Sequence, residues 1–206
     1  MSTINLYSAT KYAIFAATTV TNTGPTSVSG SLGVSPGTAV TGSPNITNGS
    51  LEAGSISASI AYYDIKSAYR QALTLATSDE ISGNLGGKTL YSGVYNSTDG
   101  LEISSGDLIL DGQNTNSPKF IFKMATTLYL SEGRKIFLIN GASAANIYWC
   151  VGSSATFATT SVIEGTVMAY ASISMFTGST VNGRVFAING AVTMDSNTIN
   201  CPLIKI

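Results

Sequence analysis

The chain carries eleven acidic and ten basic side chains in 206 residues and no histidine. Ser-His-Asp chemistry therefore cannot be assembled. The acids come nearest to pairing at Asp107 and Asp111, which flank one short apolar run, and at Asp79 and Glu80. Polysaccharide cleavage needs clustered carboxylates, often with Ca²⁺ or a basic partner, and the remaining acids are scattered, so these read as solvated corner residues. Cys150 and Cys201 have neither CxxC spacing nor a histidine with which to share a metal. They read as two small buried hydrophobes, with a disulfide open to them if their segments are neighbours. No zinc-ligand spacing, phosphate loop or basic run occurs. A formal charge of −1 gives no electrostatic reason to expect nucleic acid or an anionic membrane as partner.

The side-chain chemistry that does recur is the hydroxyl. Ser and Thr supply about a quarter of the residues, while charged residues are only 10%, which leaves an unusually uncharged surface. The length suits one domain with a full core. Met1 to Tyr7 has neither a charged n-region nor an apolar h-region, and no run approaches membrane-spanning length. The expectation is either a cytosolic protein or one whose leader has been removed.

The elements that would position those hydroxyls are marked by a repeat. Thr166 to Tyr170, Arg184 to Ile188 and Pro202 to Ile206 line up eighteen residues apart. Each follows a short β-branched piece: Val162 to Gly165, Thr180 to Gly183 and Thr198 to Cys201. A third alternating piece lies between them, Ser172 to Met175 and then Ala191 to Met194. Three short strands per repeat with Gly, Asn, Asp or Ser at the corners is the pattern of a β-solenoid. Residues 12–44 resemble these coils. Asn45 to Ser50 reads as a turn and cap. Residues 60–76 then switch to helical spacing, with Ala61, Tyr62, Ile65, Ala68, Tyr69, Ala72, Leu73 and Ala76 on one face and Asp64, Lys66 and Arg70 on the wetter side. One helix is predicted from near Ser57 to before Ser82-Gly83. Strands resume from Leu85 to the end. The expected organisation is one domain over 1–206: N-terminal coils in 1–44, cap segment and helix in 45–84, remaining coils in 85–206. The N-terminal coil is expected to dock beside the C-terminal ones.

Side chains alternate between the two sides of a strand. In the second strand of each coil both parities are apolar: Phe120 to Phe122, Ile147 to Val151, Val167 to Tyr170 and Val185 to Ile188. Such strands are covered on both sides, and the helix is the only segment long enough to be the outer cover. In the third strand only one parity is apolar: Val20, Val40, Leu128, Ala155, Phe157, Ile173, Met175, Val192 and Met194. The other parity is Thr19, Thr21, Ala39, Thr41, Thr127, Ser154, Thr156, Ser172, Ser174, Ala191 and Thr193, all small and uncharged, interrupted only by Tyr129. With rungs about 4.8 Å apart and alternate residues about 6.7 Å apart, they form a two-column array of hydroxyls and methyls. An exposed sheet is ordinarily solvated by Lys and Glu, so this surface suits another regular lattice. Fixed hydroxyls can anchor water while methyls discourage disordered hydration.

Several segments resemble the microbial ice-binding protein family: Tyr12 to Phe15, Thr19 to Pro25, Gly30 to Val40, Gly93 to Tyr95, Phe120 to Phe122, Asn146 to Thr156, and Asn182 to Thr193. The resemblance covers nearly the whole chain. It implies a mainly β fold, a discontinuous right-handed parallel β-helix with one long α-helix alongside, an N-terminal coil inserted near the C-terminal ones, and an ice-binding flat face. Thr38-Ala39-Val40-Thr41 fits the Thr-Ala/Gly-x-Thr/Asn pattern of some bacterial members. Gly190 departs from it before Ala191-Val192-Thr193, and Ser172 and Ser174 replace Thr and Ala types. The implied protein is a secreted antifreeze monomer whose partner is the ice surface with its ordered water, working without metal or cofactor. The alternative is a carbohydrate-binding or adhesion module, for which Tyr129, Tyr91 and Tyr95 would be the exposed aromatics. Sequons at Asn45, Asn48 and Asn96 matter only if the source glycosylates.

Overall fold

The computed structural model describes residues 4–202; the strand expected at 202–206 lies outside them apart from Pro202. Every strand pairing is parallel, and the strands form three faces around a common core. The first face runs Leu51–Ala53, Ser31–Val34, Tyr12–Ala16, Thr180–Ala187, Val162–Ala169, Ile147–Val151, Phe120–Met124, Gly93–Ser97 and Asp79–Glu80. The second runs Ala39–Thr41, Thr19–Thr23, Val192–Asp195, Ile173–Met175, Ala155–Phe157, Leu128–Leu130, Leu101–Ile103 and Gly83–Asn84. The third begins Asn45–Thr47, Ser27–Ser29, Thr198–Asn200, continues along the first halves of the two long strands, and ends in a separate sheet of Ile136–Ile139, Leu108–Asp111 and Thr89–Tyr91.

The expected docking of the N-terminal coil is seen on all three faces. Tyr12–Ala16 pairs with Thr180–Ala187, Thr19–Thr23 with Val192–Asp195, and Ser27–Ser29 with Thr198–Asn200. The repeat segments 162–165 and 166–169 differ from the expectation of two strands, because they form one continuous strand, as do 180–183 and 184–187. Both bend at a glycine, and the two glycines stack. A Cβ on Gly183 would lie 1.8 Å from the Gly165 carbonyl oxygen, so the corner closes only without side chains.

The boundaries of the middle segment also shift. Asn45–Thr47 is a strand paired with Ser27–Ser29 where a turn and cap were expected, and Leu51–Ala53, within the cap segment of 45–84, is a strand paired with Ser31–Val34. Exposed Asn45, Thr47 and Leu51 at the end of the stack hid this, since an end coil needs apolar residues on fewer sides. The helix spans Ile56–Leu73 and is capped by Ser55, whose hydroxyl accepts the Ala58 N–H at 3.0 Å. It stops short of Ala76, which is exposed, as is Leu73. The Lys123 amine draws the chain back to the sheet there, donating to the Leu75 carbonyl at 2.8 Å and to Thr77 Oγ1 at 3.0 Å. Strands Asp79–Glu80 and Gly83–Asn84 follow before residue 85.

Two cores result. The inner one fills the solenoid, and in-register aromatics stack along its axis: Tyr95 on Phe122 at 5.2 Å and Phe122 on Trp149 at 4.0 Å between ring centroids. The outer one lies between the first face and the helix. Phe15, Val94, Ile121, Tyr148, Cys150, Met168, Phe186 and Ile188 meet Ala58, Ala61, Ile65, Ala68, Tyr69 and Ala72. Four alanines let the helix axis approach the sheet, and Tyr69 donates its hydroxyl to the Val151 carbonyl at 3.2 Å. Tyr170, expected to be buried with this face, is exposed at the helix edge, its ring 6.4 Å from that of Tyr69. Cys150 belongs to the outer core and Cys201 to the inner one, both as free thiols. Burial pushes the Cys150 thiol up to about 12, against the opposing charge of Lys123.

The helix start is tied to the N-terminal coil by Glu52, which accepts from Lys11 Nζ and the Tyr12 hydroxyl, each at 2.6 Å, and from Ser50 Oγ at 3.0 Å. Burial alone would raise its carboxyl. Hydrogen bonds from Lys11, Tyr12, Ser57 and Ser50 outweigh that and hold it at about 2, against an ordinary 4.5. A folded value below the unfolded one means that the stabilisation is complete above about pH 4.5 and is lost as pH falls through about 2. The melting midpoint is expected to drop over that window, and to drop less in Glu52→Gln. A second expectation concerns Ile65, which is 1% exposed. Ile65→Asp should cost about 3–5 kcal/mol by burying an unpaired charge, read as a large fall in the denaturation midpoint; an unchanged midpoint would remove the helix from the core.

Candidate functional site

The helix covers the first face, and no other described element packs over the second. Its inward residues Val20, Leu128, Ala155, Phe157, Ile173, Met175, Val192 and Met194 are buried, and Val40 is half-buried because it sits in the end coil. The outward positions fall mainly into two columns, with Thr23 and Asp195 paired beyond them at one edge. One is continuous in register: Thr41, Thr21, Thr193, Ser174, Thr156, Tyr129, Glu102 and Asn84. The other holds Ala39 and Thr19 in register, then Ala191, Ser172, Ser154 and Thr127. Their carbonyls or neighbouring amides carry the ladder between coils, as in Ile173 N–H to Ala191 O at 2.9 Å and Ala155 N–H to Ser172 O at 3.0 Å. All eleven expected residues thus lie on one open face, and each is exposed or half-buried.

The two columns differ in what their hydroxyls do. Ser172 Oγ accepts the Ala191 N–H at 3.1 Å, and Ser154 Oγ accepts the Ser172 N–H at 3.4 Å. These serines brace one coil against the next. In the first column Thr21, Thr41, Thr156, Ser174 and Thr193 make no hydrogen bond to another described residue, so their hydroxyls are left for water. The departure at Gly190 has a local cause. A Cβ there would meet Ser172 Oγ at 2.3 Å and the Ala171 carbonyl oxygen at 2.7 Å, so serine at 172 and glycine at 190 are one packing solution. Gly190→Thr is expected to displace that serine and destabilise the chain by about 1–3 kcal/mol through overpacking; denaturant unfolding checks this.

Some features of this surface were not legible in the sequence. Leu101–Ile103 is a strand of the same face, which places Glu102 in the column next to Tyr129. Its single outward residue gave no two-column signature. Two buried cations were also missed. Lys123 is 7% exposed and Arg184 4%, and both are satisfied by uncharged groups: Lys123 as described, Arg184 by the Thr10 carbonyl at 2.9 Å and that of Pro202 at 3.1 Å. Arg184 thereby clamps the N-terminal segment to the last coil. Of the aromatics considered for a sugar platform, Tyr95 is excluded, being buried against Phe122. Tyr129 and Tyr91 are exposed, but on different faces. Asp107 and Asp111 serve corners: Asp107 accepts the Lys135 N–H at 2.9 Å and lies 3.6 Å from Arg134, while Asp111 accepts Asn140 Nδ2 and the Gln113 N–H at 2.8 Å each.

The third face is regular too: Thr180, Thr198 and Ser27 stand in register there, and the column beside them is committed internally. Asn200 Nδ2 donates to Asn182 Oδ1 at 2.9 Å, and Asn182 Nδ2 to Glu164 Oε1 at 2.7 Å. That amide ladder ends on a carboxyl whose pKa burial raises. The far end of this face exposes Phe137 and Ile139.

A parallel β-helix with one helix along one face and a second face carrying five successive uncharged Ser and Thr positions defines the class of protein. A family model described as ice-binding-like matches residues 14–200, and the chain belongs to that family. An ice-binding protein of Nostoc sp. (strain HG1) is 36% identical over 198 residues, 95% of this chain and 73% of its own length. One from Flavobacterium frigoris (strain PS1) is 32% identical over 215 residues, covering 97% and 76%. The solved structure of an ice binding protein from an Antarctic Biological Consortium superposes with a TM-score of 0.96 at 45% identity, covering 98% of this chain and 93% of that one. The ice-binding protein of the Antarctic ascomycete Antarctomyces psychrotrophicus gives a TM-score of 0.90 at 35% identity, covering 98% and 100%.

Proposed function

We propose that this chain adsorbs to ice through the uncovered second face, producing thermal hysteresis and inhibiting recrystallisation. Family membership supports the activity. The observation that carries the location is the unbroken register of Thr41, Thr21, Thr193, Ser174 and Thr156 on a face without a covering element. Their hydroxyls anchor water at the coil spacing, while the Thr methyls and the Ala39 and Ala191 side chains deny water disordered alternatives. A rigid scaffold has little entropy left to lose on contact, so many weak contacts add. The working unit is a monomer acting outside the cell on ice and its bordering water, as a binding protein and not an enzyme, without metal or cofactor.

A bulky side chain in mid-array would hold the face away from ice over several neighbouring contacts. Thr156→Tyr and Thr193→Tyr are each expected to abolish most thermal hysteresis, with stability changed by only about 0.5 kcal/mol because both side chains face solvent. Thr98→Tyr, on an exposed turn outside the array, should leave hysteresis unchanged. Full hysteresis in both array variants, with the fold intact, would place the ice contact elsewhere on the chain.

A further inference from the structure

The column that carries the proposed contact does not stop where its hydroxyls stop. Beyond Thr156 it continues in register through Tyr129, Glu102 and Asn84. The scaffold beneath is unchanged there: Leu128, Leu130, Leu101 and Ile103 point inward and are buried as in the other coils. Only the outward side chains change character. Tyr129 is 40% exposed, and its outward side chain is several atoms longer than the threonines with which it is in register. The Glu102 carboxylate is steadied by Ser104 Oγ at 2.9 Å, and a fixed charge orients water radially about itself. In the same region Gly83, whose missing side chain would meet nothing within 4 Å, borders a hollow of about 210 Å³ together with Asp99, Gly100, Glu102 and Tyr129.

We propose that Tyr129 and Glu102 set the end of the ice-facing lattice, limiting it to the five rungs from Thr41 to Thr156 on a stack able to present seven, the eighth position, Asn84, being tied up by the Gly86 and Ser104 amides. This rests on the second face being the ice-binding surface. Tyr129 acts by height, keeping ice from reaching anything beyond it, and Glu102 acts by charge behind that barrier. The order of the two along the column makes their effects unequal. Removing Glu102 alone gives ice nothing new to touch, because Tyr129 still stands between. Removing Tyr129 alone adds one rung, and removing both adds two.

The experiment measures thermal hysteresis at matched concentration for Glu102→Thr, Tyr129→Thr and the double variant, with melting midpoints as the check on folding. The expected result is no change for Glu102→Thr, an increase of about 1.2-fold for Tyr129→Thr and of about 1.4-fold for the double variant, in proportion to six and seven rungs against five. A folded double variant with wild-type hysteresis would overturn the proposal. So would Glu102→Thr alone matching the double variant, since charge and not height would then set the limit. Thr156→Tyr measured alongside separates the two levels: if it also leaves hysteresis untouched, the assignment of the face fails; if it abolishes hysteresis while the double variant shows no gain, only the boundary fails.

Discussion

The parallel backbone ladder that fixes each coil in register with the next is the constraint on which the rest of this molecule depends. One residue of slip would exchange inward and outward side chains along a strand, putting Val192 and Met194 in water and Thr193 in the core. Register is therefore defended from several sides. Phe122 and Trp149 stack along the axis, Gly165 and Gly183 meet at a corner that admits no side chain, and Ser154 and Ser172 accept backbone amides from the following coil. The same ladder that makes the core continuous gives the outward hydroxyls their fixed spacing.

The helix has a different task. The first face carries apolar residues on both parities and would be an adhesive surface if bare. The alanine-lined helix closes it, and the Glu52 and Lys123 contacts fasten the two ends of that cover. Of the three faces, one is thus consumed by the helix, and on the third one column is tied up where Asn182, Asn200 and Glu164 satisfy one another. The second face presents the longer run, five hydroxyls in register without a side-chain partner among the described residues against three, Thr180, Thr198 and Ser27, on the third.

Most of this architecture was legible because a solenoid writes its register into the sequence as a period. The eighteen-residue repeat at 166, 184 and 202, the one-sided alternation at 191–194 and the two-sided run at 147–151 each named a face, and the helical spacing of 61–72 named the cover. Legibility failed where the period does not govern. Coil ends expose one side, which disguised 45–47 as a turn and left 51–53 unread within the cap segment. The helix terminus is set by Lys123, a residue fifty positions away that no local pattern connects to Leu75. Leu101–Ile103 contributes a single outward residue, too little to announce that Glu102 joins the array. Gly190 reads as a defect until its packing against Ser172 is seen.

The central claim is that the second face, and not its equally regular neighbour, meets ice. Solid-state NMR of the protein in frozen solution, with magnetisation transferred from ice protons to Thr methyl groups, tests it most directly. The account expects early transfer to Thr21, Thr41, Thr156 and Thr193 and little to Thr180 and Thr198 on the third face. Transfer to Thr180 and Thr198 with none to the four array threonines would contradict it.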